Sequence, residues 1–163
     1  MIKQNFEKYF YIPEDPRHDS EFIIEAQHVH QRGIYKDTHN ATSRYRDFQL
    51  RPNFAVALVV APDLVDETRA KKAIQKALEL LSGPLGRFRS LLFTSTKVDY
   101  VGMKTLDPID WEYRGDYDND NNSSDPLISR GYNYHQGPEW VWIYEYFMRA
   151  VIKFKVDPSI VSD

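Results

Sequence analysis

The 163-residue chain contains no cysteine. Disulfides, zinc–thiolate centres and a catalytic thiol are therefore excluded. It also lacks any apolar run near the ~18 residues that a membrane-spanning helix requires. Met1 to Lys8 hold no apolar h-region, so a cytoplasmic location is expected, with no membrane partner. An excess of basic charge is missing too: Lys and Arg number 21 against 24 Asp and Glu, for a net charge of −3. That argues against nucleic acid as the main partner, because phosphate binding wants a basic surface. There is no glycine-rich phosphate loop, no nucleophile elbow and no internal repeat.

What remains is ordinary globular composition, 42% hydrophobic and 28% charged, with one feature out of line. Aromatics reach 14%, as 11 Tyr, 9 Phe and 3 Trp, and seven of them fall between Tyr132 and Phe147. Aromatic faces suit a core, an interface or a sugar-stacking pocket.

Residues Met1 to Asn53 read as polar and irregular, with Pro13 and Pro16 breaking any helix and Gly33 as a turn residue. Asn53 to Ala61 is apolar almost throughout; its three alanines favour helix over strand, and Pro62 ends it. Asp66 to Leu81 is the clearest helix. Ala70, Ala73, Ile74, Ala77, Leu78 and Leu81 form one buried stripe, with Gly83 and Pro84 as the stop. Arg87 to Val101 has the β-branched and aromatic content of a strand. Asp116 to Asp125 reads as a solvated loop. Trp140 to Phe154 is apolar on most faces and reads as a buried helix with Pro138 near its first turn.

Several short patterns carry little chemistry. Asp116-Tyr-Asp118-Asn-Asp120 starts like a calcium loop, but Asn121 replaces the glycine and Leu127 the bidentate Glu. His28-Val29-His30 has no third ligand at metal spacing. Asn40-Ala41-Thr42 is a glycosylation sequon without a secretory context. No metal or cofactor is expected.

Two polar clusters are more informative. Tyr132-Asn-Tyr-His135-Gln136-Gly-Pro-Glu139-Trp140 sets amide, imidazole and carboxylate groups among rings. A sugar pocket uses that mixture: rings stack on the apolar faces of a pyranose while polar groups bind hydroxyls. The bland alternative is a Gly-Pro helix start with buried aromatics. Asp47-Phe-Gln-Leu-Arg51-Pro-Asn53 precedes the apolar helix, where a capping Asn53 and a structural Arg51 are the simpler reading.

Both clusters carry a family resemblance. The chain resembles the glucosidase region of eukaryotic glycogen debranching enzymes. The matching pieces occur in order: Arg32-Gly-Ile-Tyr-Lys-Asp37; Gln49-Leu-Arg-Pro-Asn-Phe54; Gly83-Pro-Leu-Gly86; Met103-Lys-Thr-Leu-Asp-Pro108; Tyr117-Asp-Asn119; and Tyr132 to Trp140 with Tyr146-Phe-Met-Arg-Ala150. The resemblance implies an all-α fold, a partial (α/α)6 toroid, and a part in hydrolysing the α-1,6-linked glucose of glycogen. It implies an inverting reaction beside a separate 4-α-glucanotransferase activity. The family's acid would lie upstream of this stretch and its base downstream, so no catalytic residue is assigned here. Arg51, Asn53, Asp107, His135, Gln136, Glu139 and Trp140 are the expected contacts to glycogen or another branched α-glucan.

Against the family pattern, residues 87–102 read as an insertion and residues 155–163 as a divergent tail of a single fragment spanning 1–163. The insertion is 16 residues, or 48 nucleotides, and keeps the reading frame. Its ends can be encoded as GT and AG, as a short intron translated in frame would be. Three readings of the chain stay open: part of an active glucosidase, a glucan-binding remnant without chemistry, or a truncated product with no stable fold.

Overall fold

The computed structural model describes residues 2–82, 102–115 and 117–157. Four helices dominate: α1 (Ile2–Phe10), α2 (Phe54–Val60), α3 (Glu67–Leu81) and α4 (Val141–Lys153). Two antiparallel pairs of two-residue strands join them. Tyr11–Ile12 (β1) pairs with Ile34–Tyr35 (β2), and Met103–Lys104 (β3) with Glu139–Trp140 (β4). Neither pair extends into a larger sheet, so the described residues are mostly helical.

The α3 stripe is buried as its spacing predicts: Ala70, Ala73, Ile74, Ala77, Leu78 and Leu81 all face inward. Asp66 starts the helix, its carboxylate accepting from the Arg69 amide at 2.9 Å, which satisfies one of the orphan N–H groups of the first turn. Leu81 is the last helical residue, and Ser82 is extended. Gly83 and Pro84 lie outside the described residues.

α2 packs chiefly on α4, with the Phe54 and Phe147 rings edge to face at 6.1 Å. Phe48, Ile74, Leu81 and Phe147 are fully buried around this contact. Tyr11 and Tyr35 extend the core toward α1, their rings 5.3 Å apart. The Tyr35 hydroxyl donates to Glu7 at 2.7 Å. Burial pushes the Tyr11 phenol up to about 12, and Tyr35 higher still.

Three expectations need correction. The first 53 residues are not irregular throughout, because α1 occupies Ile2–Phe10. Its apolar residues Ile2, Phe6, Tyr9 and Phe10 recur at helical spacing ahead of the prolines. Asn53 does not cap α2: its own backbone is already helical and no capping bond forms. Its side chain instead donates to Asp37 Oδ1 at 2.7 Å. α4 is not buried on most faces. Ile143, Phe147, Ala150 and Val151 face the core, while Val141, Trp142 and Ile152 are exposed. Pro138 stands three residues ahead of α4, with β4 between them. The strand expected over 87–101 lies outside the described residues, as does all of the 87–102 stretch except Gly102.

Gly33 does serve as a turn residue. Its φ is +70°, and a Cβ there would stand 2.9 Å from the Glu14 side chain, so only glycine fits without displacement. Segment 117–125 is a loop stitched by side chains onto backbone amides two residues on, as from Asp120 N–H to Asp118 at 2.9 Å and Leu127 N–H to Asp125 at 2.8 Å.

Candidate functional site

Arg51 lies between a short 3₁₀ turn (Arg44–Phe48) and α2, where Gln49 and Leu50 are buried. Its guanidinium reaches across to two distant segments. Nη1 donates to the carbonyl of Thr105 at 3.0 Å and of His135 at 2.5 Å. Nη2 donates to Gln136 Oε1 at 2.7 Å and to Gln49 Oε1 at 2.9 Å, and Nε donates to the same Gln49 oxygen at 3.1 Å. A guanidinium has five N–H donors in a fixed fork, and these five contacts use them. Burial pushes the Arg51 pKa down, while Asp37, Asp110 and Glu112 act to hold it up; arginine stays a cation under that balance.

The loops it ties are themselves tightly joined. Thr105 N–H donates to the Pro138 carbonyl at 3.1 Å, and Arg114 N–H to the Gln136 carbonyl at 2.6 Å. Gly137 allows this approach: its φ is +140°, and a Cβ would meet the Gly115 carbonyl at 2.6 Å.

Around this knot lies a cleft of about 310 Å³, lined by Asp37, Thr38, Arg46, Gln49, Arg51, Asn53, His135 and Gln136, with Ala41. Donors and acceptors therefore converge from three separated stretches of chain, 37–41, 46–53 and 135–136. Of the expected contacts, Arg51, Asn53, His135 and Gln136 line the cleft together.

Asp107, Glu139 and Trp140 stand outside that lining. Asp107 is 2% exposed; it accepts from Gln31 at 3.0 Å and from the Ile109 amide at 3.1 Å. Glu139 pairs with Lys104 at 3.1 Å, while its second oxygen is buried with no hydrogen-bond partner. Trp140 donates its indole N–H to the Tyr134 carbonyl at 3.1 Å. Its ring lies 4.4 Å from Tyr134 and 5.6 Å from Tyr117.

Asp37, Thr38, Arg46 and Gln49 were not anticipated. Their signal is partly local, since Gln49 lies within the polar run that begins at Asp47 and Arg46 directly precedes it. Gln49 is 1% exposed, and its amide donates to Asp110 at 3.2 Å and to Glu112 at 3.0 Å. Glu112 also accepts from Arg46 at 2.9 Å and from the Tyr45 hydroxyl. Burial acts to raise its pKa, but the bonds from Arg46, Tyr45 and Gln49 outweigh this and hold the carboxyl below its ordinary value. Asp47 is alike: burial is offset by donors from Thr38, Ala41 and Asn40, and its pKa is lowered. These carboxylates are ionised anchors at neutral pH. A general acid for glycoside cleavage needs the opposite shift.

A larger hollow of about 530 Å³ lies elsewhere, between Tyr11 and the start of α3. Its charges are mostly matched within the protein, Glu14 to Lys72 at 2.5 Å and Arg69 to Glu7 at 3.1 Å. It contains none of the expected contacts. Among the described residues, no group of three or more His, Asp and Glu side chains is placed to hold a metal. No helix there is long and apolar enough to cross a membrane.

The described residues thus form a mostly helical unit with a guanidinium-braced polar cleft. Comparison with known proteins places it. The family described as amylo-alpha-1,6-glucosidase matches residues 1–161, and the chain belongs to that family. The glycogen debranching enzyme of Saccharomyces cerevisiae is 46% identical to it over 161 residues, which is 97% of this chain and 9% of the yeast protein. The chain thus spans 9% of the length of that relative.

Proposed function

We propose that this chain is a piece of a glycogen debranching glucosidase, a glycoside hydrolase, and that it contributes α-glucan contacts and not the catalytic carboxylates. The observation that carries this reading is the cleft around Arg51. Around it stand the Asn53 and Gln136 amides, the His135 imidazole and the Asp37 carboxylate, with the guanidinium fixing the Gln136 side chain and the His135 backbone, a mixture suited to hydroxyl recognition. Asn53, His135 and Gln136 contact sugar hydroxyls; Arg51 and Asp107 hold the loops; Trp140 and Glu139 form the neighbouring wall.

In the same reading the four helices belong to an (α/α)6 toroid in the cytoplasm. The reaction is inverting, with acid and base carboxyl groups about 6.5–9.5 Å apart to admit a water. The carboxylates beside the cleft are poor candidates for either role, because Asp110 and Glu112 are held by donors and Asp37 by Asn53. The chain alone binds glucan without hydrolysing it.

Residues 87–102 are proposed as an insertion from an intron translated in frame. A spliced transcript lacking the 48 nucleotides supports this, and a mature transcript retaining them overturns it. The functional reading is tested by incubating the purified 163-residue chain with branched limit dextrin and with glycogen. It predicts co-sedimentation with glycogen and no glucose release. Glucose release overturns the non-catalytic reading, and failure to pellet overturns the binding reading.

A further inference from the structure

Trp111 is the only exposed tryptophan among the described residues that adjoins the cleft network. It is 58% exposed, yet it is not a loose surface ring. Asp110 and Glu112 on either side are buried, at 5% and 9% exposure. Asp110 accepts from the Glu112 amide at 2.8 Å, and its own amide donates to Asp107 at 2.9 Å. This tight turn, anchored inward on both sides, holds Trp111 outward.

Its ring lies 4.8 Å from Tyr45 at an interplanar angle of 50°, so Tyr45 braces it and does not extend its face. Tyr45 is fixed in turn, its hydroxyl donating to Glu112 and accepting from Arg46 Nε at 3.1 Å. The Arg46 guanidinium lies 5.7 Å from the Tyr45 ring and donates to Glu112 at 2.9 Å. Arg46 also lines the cleft, so the aromatic pair and the cleft share a residue. Gln49 joins them from beneath, donating to Glu112 while accepting from Arg51.

We infer that Trp111, braced by Tyr45, forms a second α-glucan contact, a stacking platform for a glucose unit of the chain that continues out of the Arg51 cleft. The chemistry fits a neutral polyhydroxylated ligand. Arg46 is matched by Glu112, so the patch offers no unpaired cation for a phosphate. Ring faces meet the C–H faces of a pyranose, and the guanidinium and carboxylate rim meets its hydroxyls. A platform already held in place lowers the ordering cost of binding. This inference rests on the glucan-binding reading of the cleft and extends it from one sugar unit to at least two.

The test is equilibrium co-sedimentation of the whole 163-residue chain with glycogen, comparing Trp111→Ala, Trp111→Phe, Trp142→Ala and Gln136→Ala. Trp142 is 57% exposed on α4 and controls for loss of any surface indole. The platform predicts that Trp111→Ala weakens binding by about fivefold, the size of one aromatic contact. Trp111→Phe recovers most of that loss, and Trp142→Ala leaves binding unchanged. If Trp111→Ala binds normally while Gln136→Ala weakens binding, the platform is wrong and the cleft stands. If Trp111→Ala weakens binding and Gln136→Ala does not, glucan meets Trp111 without entering the cleft: the cleft reading fails, and with it the platform as a continuation of the cleft. Equal losses at Trp111 and Trp142 overturn the platform as a specific site. The unmodified chain supplies a second readout: maltoheptaose shifts the Trp111 indole N–H resonance and leaves that of Trp142 in place. A stationary Trp111 resonance at saturating sugar overturns the inference.

Discussion

The rings of the α1–α2 region and those of the 111–142 region have opposite surroundings. Tyr11, Tyr35, Phe48 and Phe54 are all below 9% exposed, whereas Trp111, Tyr132, Tyr134 and Trp142 are at least 42% exposed. One compositional excess therefore serves two ends. In the first region rings fill space and set stability. In the second they stand at the surface, where burial does not explain them. The difference teaches that the aromatic count has to be divided by environment before it says anything of function.

The sharpest test of that division is Phe147→Ala. The side chain is fully buried and packs edge to face on Phe54. Truncation should cost about 3–5 kcal/mol, a large share of the about 5–15 kcal/mol that holds a domain together. Urea denaturation reads this directly; a loss below about 1 kcal/mol would mean that the α2–α4 contact is not a packed core.

Next in size is Arg51→Ala, which strands the Gln49 and Gln136 side chains and the Thr105 and His135 carbonyls. A loss on the order of 2–3 kcal/mol is expected from groups left without donors. Arg51→Lys should recover little of it, because an ammonium cannot present the same planar fork. Full recovery by lysine would show that charge alone matters at this position.

Acid sensitivity comes third. Asp47 and Glu112 have folded pKa values below their ordinary ones. Their contribution is therefore complete above the unfolded carboxylate range, about 4, and is lost as the pH falls through the lower folded values. Asp47→Asn should lower stability at pH 7 by about 1–2 kcal/mol and flatten the acid limb of the stability curve. An unchanged acid limb would contradict the assignment.

Asp66→Ala should cost about 1 kcal/mol by removing the α3 cap. Trp142→Ala should change stability by no more than about 0.5 kcal/mol. The contrast between Phe147 and Trp142, five residues apart on one helix, is the comparison in its smallest form.

The sequence was most readable where the physics is local. The α3 stripe needs only one turn of helix to repeat, and Asp66 caps a neighbour three residues away. The apolar run at 53–61 shows no such stripe; its three alanines mark it as helix, with Pro62 just beyond it. α1 was obscured because nine residues give barely two apolar repeats beside a proline-broken segment. α4 reads as buried on most faces because an apolar sequence does not reveal which side a core will claim.

In the site, His135, Gln136, Arg51 and Asn53 could be nominated from residue type and family resemblance. Their grouping could not. Arg51 meets Thr105 and Gln136 across 54 and 85 positions of sequence, and Asn53 abandons the cap for Asp37 across 16. Glu112 gathers Tyr45, Arg46 and Gln49 from over 60 positions away. Long-range partners of this kind leave no periodicity behind.

The central claim is that the Arg51 cleft binds α-glucan, and glycogen affinity of Gln136→Ala measured beside the parent chain tests it most directly. Gln136 lines the cleft through a side chain whose oxygen is already taken by Arg51 at 2.7 Å, leaving its amide hydrogens for sugar. The account predicts that the parent chain pellets with glycogen and that the variant, still folded by its thermal transition, binds about fivefold or more weakly. A folded variant that binds glycogen as well as the parent would contradict it.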